Sequence, residues 1–133
     1  MGVIGNMTEE IQGLRRWSAE DLMGFHLSED GYPYEDSFVS KLRSAYLDSN
    51  NRLKWFEENW RPDDPDTGQI WMVVERMRKL GWLMIEFEQH PTYYEVGFAK
   101  DTGGGDTTKL YEAKDTEPCH AILKAAQAAW SEK

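Results

Sequence analysis

Apolar residues recur at helical spacing, then at alternate positions, then at helical spacing again, through the second half of the chain. Ile70, Val73, Val74, Met77 and Leu80 keep the i, i+3, i+4, i+7 rhythm of a helix that buries one face. Asp66 and Gln69 have the spacing of a capping box at its start, Arg76, Arg78 and Lys79 fill its last turns, and Gly81 ends it. Trp82–Gln89 then alternates, with Leu83, Ile85 and Phe87 expected on one face and Trp82, Met84, Glu86 and Glu88 on the other. His90-Pro91-Thr92 reads as a tight connection. Tyr93–Lys100 alternates again, gathering Tyr94, Val96 and Phe98. The glycine run 103–105 marks a hairpin loop, and Thr108–Ala113 is the third strand expected. Thr116 and Pro118 suit a helix start, and Ile122, Ala125, Ala126 and Ala129 form that helix's inner face.

The first half is less regular. Thr8 suits the cap of a short helix through Leu14, and Ser18 with Asp21 suggests a fresh start for Ala19 to Phe25. Phe38, Leu42 and Tyr46, then Leu53, Phe56 and Trp60, have helical spacing on either side of Asp48-Ser49-Asn50-Asn51. This stretch predicts two short helices or a long, partly ordered loop. The expectation is one α+β domain over 1–133: a helical or irregular acidic part over 1–59, then an αβββα core over 60–133. In that core an antiparallel meander of three strands or slightly more is packed between helices as a helix–sheet–helix sandwich, with 66–80 and 116–130 on opposite sides.

Charge changes the picture of what such a domain meets. Across 133 residues, 15 Lys and Arg oppose 24 Asp and Glu, a formal net charge of −9. Nucleic-acid affinity rests mainly on phosphate neutralisation by Lys and Arg, so direct nucleic-acid binding is not expected, nor adhesion to anionic membranes. A protein with a basic surface is the expected partner. The acids concentrate before residue 67, and the candidate partner surface is Glu29, Asp30, Glu35, Asp36, Glu57, Glu58, Asp63 and Asp64. Trp60, Trp71 and Trp82 are the candidate aromatic contacts, since exposed Trp amid acids has the character of a binding hot spot.

Catalytic and metal chemistry finds little support in the spacing. Asp64, Asp66 and Glu75 fit positions one, three and twelve of a calcium loop, but Gln69 stands where that loop needs glycine. His26, His90, His120 and the single cysteine, Cys119, lack the paired spacing of a structural zinc site. Cys119 fits an apolar helix stripe better than an activated nucleophile. No catalytic residue, metal or cofactor is assigned, and the chain is expected not to be an enzyme. No leader and no run of about 20 apolar residues is apparent, which suggests a cytoplasmic protein.

From Trp60 to Trp130 the order of motifs resembles the phage ABA-sandwich domain family, small proteins of phages and prophages. The likeness is carried by Trp60 with Pro62 and the acids after it, Ile70-Trp71-Met72-Val73-Val74-Glu75-Arg76-Met77 and Gly81-Trp82. It continues through Tyr94-Glu95-Val96-Gly97-Phe98 and Thr116-Glu117-Pro118-Cys119-His120-Ala121-Ile122-Leu123, with Met23-Gly24-Phe25 upstream. Residues 32–59 depart from it. The resemblance implies a helix–sheet–helix fold and a phage origin, and so the cytoplasm of a bacterial host, and brings no activity or catalytic residues. A non-enzymatic phage accessory factor that binds protein is therefore expected, in its finer form an inhibitor that blocks a nucleic-acid-binding or defence complex by acidic mimicry. The alternatives are a small-ligand or nucleotide-binding protein, with a pocket among Trp60, Trp71, Trp82 and 101–107, and a virion assembly component.

Overall fold

The computed structural model describes residues 9–27, 37–100 and 109–131. Among these residues, five α-helices accompany three strands in the order α1 (Glu9–Arg16), α2 (Ser37–Asp48), α3 (Arg52–Asn59), α4 (Ile70–Lys79), β1 (Trp82–Gln89), β2 (Tyr94–Lys100), β3 (Leu110–Asp115) and α5 (Pro118–Trp130). The sheet is an antiparallel meander, β1-β2-β3, packed against helices. This is the expected α+β class.

Local starts and stops differ from the expected ones. α1 does not break before Ser18 but widens into a π-helical turn over Trp17–Leu22. Ser18 is no cap: its buried hydroxyl donates to the Arg15 carbonyl at 2.9 Å and accepts from the Trp60 indole at 2.9 Å. Ahead of α4, Asp64 caps a single 3₁₀ turn, Pro65–Thr67, by accepting from the Asp66 amide. Gln69 closes no capping box. Its side chain accepts from the Arg61 amide at 2.6 Å and donates to the Asn59 carbonyl at 2.7 Å, tying the end of α3 to the start of α4. Gly81 does end α4, at φ +94°, where a side chain would be strained. Before α5 it is Asp115, not Thr116, that accepts from the Glu117 amide. Thr8 lies outside the described residues. The third strand begins at Leu110 and extends to Asp115.

One hydrophobic cluster runs from Leu14 to Ala129. Around Trp60 it is aromatic: Phe25 meets Tyr46, Trp55 and Trp60, and Trp55 meets Phe56 edge-on at 5.2 Å. Residues 37–59 thus supply two helices whose apolar residues close over the end of the first. Under the sheet, Val96 and Phe98 pack with the alanines of α5, where Ala121, Ala125, Ala126 and Ala129 are fully buried. Small side chains let that helix approach closely. α4 and α5 also pack on each other. Helices on opposite sides of a sheet would be separated by roughly two layers of about 10 Å, so α4 and α5 share one side rather than taking one each.

Candidate functional site

The register of the meander sorts the strand residues into rows, because residues directly opposite one another project to the same face. Towards the helices lie Met84–Phe98–Tyr111 and Phe87–Val96–Ala113. The other face carries Leu83–Ala99–Leu110, then Glu86–Gly97–Glu112, then Glu88–Glu95–Lys114. A β-bulge between Met84 and Glu86 leaves Ile85 without a partner on β2. The expected grouping of Leu83, Ile85 and Phe87 is therefore split: Phe87 turns to the helix side, while Glu86 and Glu88 join Leu83 outside. Leu83 is 38% exposed, Ile85 60% and Leu110 43%. An apolar strip and an acidic strip thus lie side by side on the sheet's outer face.

Gly97 makes the acidic strip possible. A Cβ there would lie 2.9 Å from Leu110 Cδ1 and 3.1 Å from Glu86 Oε1, so the Glu86 carboxylate and Leu110 close over a position that holds no side chain, between Glu86 and Glu112 in the row. The hydrogen-bonded approach of Glu112, then partial desolvation, then the negative charges of Glu112, Glu95 and Glu88 push the Glu86 carboxyl up to about 7. Glu86 Oε1 is shut off from solvent and accepts no hydrogen bond. At the strip's end, His90 Nε2 lies 3.2 Å from Glu88 Oε1 and 3.6 Å from Glu95 Oε1, with its ring stacked on Tyr93 at 4.4 Å. Ligand atoms of Glu88, His90 and Glu95 lie within 4.8 Å of one another, as do those of Glu86, Glu95 and Glu112. Among the described residues, no Lys or Arg forms an ion pair with any of these four glutamates, and Lys114 instead sits over the Tyr93 ring at 5.3 Å.

Of the acids expected to form the partner surface, the four that are described do not gather. Glu29, Asp30, Glu35 and Asp36 lie outside the described residues. Glu57 and Glu58 are exposed on α3. Asp63 is withdrawn from any partner: Arg15 donates to it twice, at 2.6 and 3.0 Å, and both side chains are more than nine-tenths buried. Asp64 caps its 3₁₀ turn and lies 3.5 Å from Arg61.

Of the aromatic contacts, Trp60 and Trp82 are buried, because α1–α3 close over Trp60 and Tyr111 packs edge-on against Trp82. Neither can meet a partner or line an open pocket. Trp71 alone is exposed, at 58%.

Cys119 is buried in the apolar stripe of α5. Burial first, then the charges of Asp63, Asp64 and Glu117, push its thiol up to about 11, against any nucleophilic role. His120 lies 3.7 Å from Asp115, apart from the His90 group, and Glu75 is paired with Arg78 rather than drawn to Asp64 and Asp66. A hollow of about 720 Å³ between α1 and the start of α5 is lined by Arg15, Arg61, Asp63, Asp64, Asp115 and His120, mixed charges that are largely paired already.

No protein-family model, no curated protein and no solved structure matches this chain. The likeness to the phage family therefore rests on the order of motifs alone. The outer-face glutamates escaped the sequence reading, although the short turn at 90–93 was a signal that Glu88 stands opposite Glu95.

Proposed function

We propose that this chain is a non-enzymatic protein-binding module whose outer sheet face receives a cationic, partly apolar segment of a partner. The observation that carries the reading is Glu88 standing directly opposite Glu95, beside Glu86 and Glu112, with no ion pair from Lys or Arg to any of them among the described residues: Lys114, opposite Glu95 on the other side, is turned over the Tyr93 ring. Like charges directly across a strand pair destabilise a sheet, and an arriving Lys or Arg would relieve them. Leu83, Ile85 and Leu110 add the apolar area that charge alone does not supply. A second copy of the same face is a poor occupant, since it would set carboxylates against carboxylates. The order of motifs shared with the phage family supports a phage or prophage origin. In its finer form the module blocks a host protein whose basic surface ordinarily holds nucleic acid.

The test is titration of the isotope-labelled chain with a synthetic strand peptide of alternating Lys and Leu, followed by amide shifts. Shifts should centre on Leu83, Glu86, Glu95 and Glu112, fade in 0.5 M salt as the roughly 4 Å Debye length there implies, and vanish in the Glu86→Gln/Glu95→Gln/Glu112→Gln variant. Shifts centred on α3, or unchanged in that variant, would move the surface elsewhere.

A further inference from the structure

The His90 end of the acidic strip has a geometry that partner binding does not require. Glu88 and Glu95 are opposed across β1 and β2, and the turn that follows Gln89 swings the His90 imidazole between them. We propose that Glu88, His90 and Glu95 form a binding site for a divalent transition cation, Zn²⁺ or Mn²⁺, with Glu86 and Glu112 as a neighbouring carboxylate pair.

The spacing that puts Glu88 Oε1 within hydrogen-bond reach of His90 also suits a shared ion. A tetrahedral ion held at about 2.0–2.2 Å by nitrogen and oxygen keeps neighbouring ligand atoms roughly 3.3–3.5 Å apart. His90 Nε2 sits 3.2 and 3.6 Å from the two carboxylate oxygens, on either side of that spacing. One imidazole nitrogen holds at most one proton, so a neutral ring can satisfy only one of the two carboxylates. An ion at the centre of the three satisfies both. The second carboxylate group shares Glu95, so Glu86 and Glu112 lie within reach of the same place.

An imidazole corner with carboxylates favours zinc or manganese over magnesium and calcium, which prefer all-oxygen shells. The Tyr93 ring, stacked on His90 with 16° between the planes, fixes the imidazole and lowers the entropy lost on binding. Three protein ligands on an exposed strand end leave at least one position for water or for a partner's side chain.

This site shares the face of the proposed partner surface but does not depend on it. The test uses the metal alone: calorimetric titration of the full chain with Zn²⁺, and of a second sample with Mn²⁺ monitored by the paramagnetic resonance of the free ion. One equivalent of at least one ion should bind saturably. His90→Ala and Glu95→Gln should each weaken it by at least about tenfold, while His120→Ala leaves it unchanged. The His90 ring protons should shift or broaden on binding, and circular dichroism of the variants should match the parent. Absence of saturation by 1 mM with either ion, or binding that survives His90→Ala or falls with His120→Ala, would overturn the site. Peptide binding measured in chelator would be unaffected by that failure.

Discussion

Asp63→Asn separates an acid that holds the fold together from one that meets a partner. Asp63 receives two hydrogen bonds from Arg15, at 2.6 and 3.0 Å, and the two side chains are 9% and 7% exposed. Arg15 Nη1 is already buried without a hydrogen-bond partner, so the guanidinium has no second acceptor to turn to. Removing one member of a buried pair strands the other charge and costs about 3–5 kcal/mol. Asparagine keeps one acceptor oxygen, which points to the lower end, about 3 kcal/mol. With a urea dependence of about 2 kcal/mol per molar, the unfolding midpoint should fall by about 1.5 M. The assay is equilibrium urea unfolding followed by tryptophan fluorescence and by far-ultraviolet dichroism. The double variant Arg15→Met/Asp63→Leu should regain most of the loss, since an apolar pair replaces a buried ionic one at little or no cost. A midpoint for Asp63→Asn within about 0.3 M of the parent would refute the reasoning, because it would mean that water reaches the pair.

Two further outcomes follow from buried groups. Cys119, buried and with its thiol pushed up to about 11, should resist Ellman's reagent at pH 8 and react stoichiometrically once urea unfolds the chain; rapid reaction of the native protein would contradict the packing of α5. The Tyr46 hydroxyl donates to Glu20 while its ring packs at 5.1 Å on Trp55, and burial, then the Glu20 bond and charge, push it up to about 12 against the pull of Arg52. The folded state keeps that proton above pH 10 whereas the unfolded chain loses it. The Tyr46 contribution is therefore intact below pH 10 and is lost as pH rises towards 12. Tyr46→Phe should cost about 1 kcal/mol at neutral pH, and its deficit against the parent should shrink through that alkaline range in paired urea titrations.

What could be read from the sequence was whatever a single element decides for itself. α4 and α5 carry their apolar stripes at helical spacing, and the meander follows from alternation and turn residues, because each of these segments buries one face whatever its neighbours do. Ser18 looked like a cap because its hydroxyl suits one, but the Trp60 indole, 42 residues away, and the Arg15 carbonyl claim it instead. Trp60 and Asp63 read as surface for the same reason: their partners, Phe25 in the turn beyond Leu22 and Arg15 on α1, come from an N-terminal segment whose position the local pattern does not encode. Acidic composition in the first half likewise says nothing of which acids are spoken for.

The mixed character of the outer face, apolar beside acidic, was hidden by a parity conflict within β1. Trp82, directly after the Gly81 turn, packs inward against Tyr111, and Phe87, opposite Val96 in the hairpin, projects to the same side. Five positions separate them, and in a regular strand an odd separation puts two residues on opposite faces. The chain cannot satisfy both ends with strict alternation. One extra residue at Ile85 absorbs the mismatch, so Glu86, Phe87 and Glu88 beyond it keep the faces of the simple reading while Trp82, Leu83 and Met84 before it exchange theirs. Alternation alone prefers to bury Leu83, Ile85 and Phe87 together, the better amphipathic solution for an isolated strand. The turn from α4 and the hairpin to β2 each fix one end, and together they outweigh it. The consequence is chemical as well as geometric: Leu83 is delivered to the outer face beside Glu86, Glu88, Glu95 and Glu112, where carboxylates, an imidazole and exposed leucines share one surface.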